Sequence, residues 1–106
     1  MGFETPKVKD AKEQNNSEIY LKEATDIAQR ISRSWQKLKG QKGLSRQLEE
    51  ILEMNKPPKT GIQLWFEDQV KFINQSAGDE NSKSRMTYRL KEDLERIEGE
   101  VNELIS

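Results

Sequence analysis

Residues 17–40 read SEIYLKEATDIAQRISRSWQKLKG, and this stretch decides the fold. Leu21, Ala24, Ala28, Ile31, Trp35 and Leu38 follow one another at spacings of three and four. That is an apolar seam repeating every 3.5 residues, widened by Tyr20 and Ile27. Asn16 or Ser17 can cap the free N–H groups at its start, and Glu18 stands in the favourable first turn. Lys39 and Gly40 supply a basic end and a residue free to take positive φ. The spacing predicts a helix over 17–38, about 33 Å long at 1.5 Å per residue.

Outward from this seam the pattern stays helical. Leu44, Leu48, Ile51 and Leu52 share one face of a shorter helix over 44–55, stopped by Pro57 and Pro58. Thr60-Gly61-Ile62-Gln63 is a capping box: the threonine hydroxyl accepts from the glutamine backbone, and the glutamine side chain returns to the threonine N–H. It opens a helix over 61–77 with Ile62, Phe66, Val70 and Ile73 at the centre of its apolar face and Trp65 and Phe72 on the flank. Trp65, Phe66 and Phe72 are expected in the core. Met86, Leu90, Leu94, Ile97, Val101 and Leu104 form a narrow stripe on a last helix over 84–105. No run alternates as a strand would. The fold expected is a small all-α, up-and-down bundle with two long outer helices and two shorter inner ones. Residues 1–16 read as a flexible tail that could hold at most a short helix over 7–13, and 17–106 as one domain.

Composition narrows the chemistry. The chain has 106 residues, no Cys and no His. Disulfides, thiolate nucleophiles and thiolate metal sites are thereby excluded, together with the commonest neutral-pH acid/base. Glu49, Glu50 and Glu53, and Glu67 with Asp68, sit on polar faces without the apolar pocket that raises a carboxyl pKa. Glycine-rich phosphate loops are lacking too. The expectation is a non-enzymatic protein with no catalytic, cofactor or metal site. No apolar stretch approaches the roughly 20 residues that span a bilayer, so no membrane partner is expected and the compartment is read as cytoplasmic or otherwise intracellular.

Leu, Ile, Val and Phe total only 23 residues, a thin supply for a core. In an upright bundle the long helices would overhang the short ones. The seam residues Trp35, Leu38, Ile97, Val101 and Leu104 would then be left for a copy of the chain or another helical protein, making this an assembly module. Leu64 lies opposite the apolar face of its helix and, with Trp65 at its edge, forms a second candidate contact.

Charge is balanced overall, 18 basic against 19 acidic residues, but sharply sorted. Arg30, Arg33, Lys37, Lys39, Lys42 and Arg46 form an acid-free run, and Lys83, Arg85, Arg89 and Lys91 another. Beyond them the last helix carries Glu92, Asp93, Glu95, Glu98, Glu100 and Glu103, with Arg96 the one cation. This helix is charged against its own dipole. Two arrangements use the sorting. Antiparallel outer helices would gather one positive pole around Tyr88, with Arg85, Arg89 and Lys91, suited to nucleic acid. A parallel contact or a swapped dimer would instead set basic Arg30, Arg33 and Lys37 beside the acidic half of the last helix, fixing orientation.

Overall fold

The computed structural model describes the backbone of residues 4–106 and the side chains of residues 16–106. The tail expected over 1–16 falls, in its side chains and first three residues, outside the described residues, Asn16 apart. Helix α1 spans Glu4–Ser34 and tightens into a 3-10 turn over Trp35–Leu38. Helix α2 covers Arg46–Glu53, α3 Gly61–Ser76 and α4 Glu80–Ile105. The chain is an all-α bundle with two long outer helices and two shorter ones, and among the described residues no helix is long and apolar enough to cross a membrane.

The local signals act where they stand. Ser45, Thr60 and Asp79 cap α2, α3 and α4 through their side chains, and the capping box at Thr60 is complete in both directions. Gly40 takes φ 81°, ending the tightened turn in the left-handed region open to glycine.

The two long helices run parallel. Tyr20 meets Tyr88, Glu23 meets Lys91 and Arg30 meets Glu98, each pair 68 residues apart. A constant positive offset is the mark of parallel packing in a fixed register. Ala24 and Ala28 are both buried in the core on this side of α1. Helix α3 descends between them: Thr60 at its start bonds Ser32 at 3.1 Å, while Phe66, Val70 and Asn74 reach back to Leu21 and Thr25.

Helix α2 explains why the outer helices are parallel. Ser45 at its start binds Glu100, and Asn55 just beyond its end binds Trp35. By the 68-residue offset, Glu100 stands level with Ser32, so both ends of α2 lie at nearly the same height. The eight residues of α2 therefore cross the end of the bundle instead of descending along it. Only α3 runs down, and α4 must run up again beside α1.

Candidate functional site

The seam is closed by its own chain. Trp35, Leu38, Ile97 and Val101, expected as an uncovered contact surface, are each no more than 2% exposed, and Leu104 packs half-buried against the same core. The expectation took every helix as upright. With α2 laid across the end, Leu48 and Ile51 cover the overhang that upright short helices would have left. Trp35 is held further by its indole N–H, which donates to Asn55 Oδ1 at 2.7 Å. The same oxygen accepts from the Gly61 N–H. A side chain at Gly61 would strike the backbone carbonyl of Ile51, so glycine is what allows α2 and α3 to meet here.

The positive pole does not assemble. Parallel packing puts the basic half of α1 beside the acidic half of α4, as the second arrangement required. Arg30 Nε lies 2.8 Å from Glu98 Oε2, with a second bond from Nη2, and this fork holds the guanidinium pKa above its ordinary value. Arg33, Lys37, Lys39, Lys42 and Arg46 are exposed toward the α2 end. At the other end Lys91 lies between Glu23 and Glu95, 3.9 and 3.5 Å away. Desolvation opposes its charge, but the two carboxylates outweigh that and raise its pKa. The reversed charge order of α4 thus complements α1, whose own acidic-to-basic order suits its dipole.

Arg85 and Arg89 escape this pairing. Both are exposed, and neither has an ion-pair partner among the described residues. They stand on a ridge between two grooves, one of about 300 Å³ toward Ser76 and Met86 and one of about 520 Å³ toward α1. Tyr88, 40% exposed, lines the larger groove. Its ring packs edge-to-face with Tyr20 at 5.0 Å, and the Lys91 ammonium sits 5.2 Å from its centroid. Ser84 Oγ, at the same groove, is buried with no hydrogen-bond partner among the described residues.

Leu64 and Trp65 are half-buried, so Leu64 is not the free anchor it was expected to be. Phe72, expected in the core, is instead 57% exposed. Seven residues from Trp65, it lies on the same flank of α3, outside the arc of Ile62, Phe66 and Ile73 that the bundle encloses. Trp65, Gln69, Phe72 and Ser76 thereby form a stripe at spacings of four, three and four. The stripe is visible in the sequence; what hides its meaning is that a flank position becomes core or surface according to where the neighbouring helix stands.

Among the described residues no three acidic side chains are grouped to hold a metal ion. Glu67, one of the candidate carboxylates, is paired with Lys59 at 3.0 Å. The chain matches no protein-family model, no curated protein and no solved structure.

Proposed function

We propose that the protein is a non-enzymatic helical contact module that self-associates through the outer flank of α3. The observation that carries this reading is Phe72, a large aromatic left mostly in water in the C-terminal half of a helix whose other face is enclosed. Trp65, Gln69, Phe72 and Ser76 repeat as a coiled-coil seam does, and such a stripe is complementary to its own antiparallel copy about a two-fold axis. Phe72 of each copy would then lie against the stripe of the other. Because Trp35, Leu38, Ile97 and Val101 are satisfied within one chain, folding does not require the partner. Gln69 within the stripe makes the contact modest, so association is expected to be reversible and concentration-dependent.

Sedimentation equilibrium of the full chain from low to high micromolar concentration tests the reading. A monomer–dimer equilibrium abolished by Phe72→Ser supports it. A monomer throughout that range, or a dimer indifferent to Phe72→Ser, would overturn it.

A further inference from the structure

We propose that the groove between α1 and α4 binds a nucleotide, with its phosphate on Arg85 and Arg89 and its ring system against Tyr20 and Tyr88. This site goes beyond the contact function and is lined from α1 and α4, while Ser76 at the end of the α3 stripe lines only the smaller neighbouring groove. Its volume of about 520 Å³ is within the range of ordinary ligand sites. Its walls converge from two helices whose register is locked by the Tyr20–Tyr88 contact and the Glu23–Lys91 pair, so the site is formed before a ligand arrives.

The charge arrangement selects the ligand. Along the α1–α4 interface Arg30 pairs with Glu98, and Lys91 with Glu23 and Glu95. Arg85 and Arg89 have no ion pair among the described residues, and both line the two neighbouring grooves. One helical turn apart, with Cβ atoms about 5–6 Å from each other, they can fork around a single phosphoryl group. Arg85 is near the Asp79 carboxylate, which it helps to keep ionised, but no contact closer than 4 Å ties it there. Glu92, at the upper end of the same groove, repels a phosphate and accepts from a sugar hydroxyl or a base amine, which gives the ligand a direction. Ser84, whose buried hydroxyl has no partner among the described residues, lines the same groove and supplies a further donor. An anion with a flat polar body satisfies these groups together; inorganic phosphate satisfies the arginines only.

The test is a titration of the ¹⁵N-labelled full chain, followed by NMR, with adenosine monophosphate, with a short single-stranded oligouridylate and with inorganic phosphate. Saturable shifts at Asn81, Ser84, Arg85, Tyr88 and Arg89 are expected, with affinity falling about tenfold or more in the Arg85→Gln/Arg89→Gln double variant. Saturation by the monophosphate identifies a free nucleotide as the source of the phosphate. Saturation by the strand alone identifies single-stranded nucleic acid, with a salt slope near 0.7 per phosphate engaged. Equal shifts from inorganic phosphate, binding unchanged in the double variant, or no saturation by either nucleotide probe would overturn the proposal. Phe72→Ser leaves this binding intact, so the failure of one reading is seen apart from that of the other.

Discussion

The two ends of the bundle are built on different terms. At the α2 end, Trp35, Leu38, Leu48, Ile51, Ile62 and Val101 are all essentially removed from water, and the polar atoms among them are matched: Trp35 and Gly61 to Asn55, Ser45 to Glu100. At the opposite end, where α3 gives way to α4, Tyr88 and Phe72 remain substantially exposed and two arginines have no ion-pair partner among the described residues. Both ends carry a groove and exposed cations; among the described residues the second end differs in leaving large aromatic rings in water. Recognition is proposed here for the second end, and substitutions at each end should separate it from stability.

The largest effect is expected at Trp35. Its replacement by Ala empties the best-enclosed large site and removes the indole bond to Asn55, and should cost about 3–5 kcal/mol in urea unfolding. That is a large fraction of the roughly 5–15 kcal/mol that holds a small domain together. If Trp35→Ala proved mild, the α2 end would be loosely packed and the contrast between the ends would vanish.

Gly61→Ala comes next. The added methyl would stand 2.8 Å from Asn55 Oδ1 and 2.9 Å from the Ile51 carbonyl carbon, so backbone rather than a flexible side chain must move. A loss of about 1–3 kcal/mol is expected, toward the upper end because α2 and α3 must part, and thermal unfolding would measure it. Gly99→Ala provides the control: nothing lies within 4 Å of its added methyl, and helix propensity alone predicts a gain of up to about 1 kcal/mol.

These two residues also show how far the sequence could be read. Trp35 was legible as a seam residue, because periodicity assigns a side chain to a face. What covers that face depends on where α2 lies, and eight residues between two turns carry no local signal for crossing rather than descending. The same gap concealed the parallel register of α1 and α4. Their complementary charges admitted it, but only the route of the chain between them selects it. The Thr60 capping box was legible in full, since its partners are three residues apart and need no tertiary context. Phe72 was misplaced for the converse reason: it is apolar and near the core arc, and its exposure is set by a neighbour's absence.

A smaller effect distinguishes the ends by pH. Asp79 caps α4 at the open end, its Oδ1 accepting from the Ser82 N–H at 2.8 Å, and that bond holds its carboxyl below the ordinary value of 3.8. The folded chain therefore takes up this proton less readily than the unfolded one. The stabilisation is present above the unfolded pKa and is lost as pH falls through the folded value. Asp79→Asn keeps an acceptor at the cap but removes the titration. Stability followed by circular dichroism should then decline less steeply below about pH 4 than in the parent chain. An unchanged acid limb would show that the cap is not formed in solution.

The least effect on stability, and the sharpest separation, is expected at Phe72. Exposed for more than half its surface, it contributes little apolar burial within its own chain, so Phe72→Ser should shift the unfolding midpoint by no more than about 0.5 kcal/mol. The same substitution removes the centre of the stripe on which self-association is proposed to rest, so the sedimentation profile should change while the melting curve of dilute protein does not. That combination separates a recognition residue from a structural one: a core aromatic loses stability on truncation whatever the protein concentration, whereas an interface aromatic loses it only where the dimer forms. Melting measured at low and high concentration therefore provides the decisive pair. Parent protein should gain thermal stability with concentration by mass action, and the Phe72→Ser variant should not. A variant that melts early even when dilute would place Phe72 in the core and erase the contrast between the two ends.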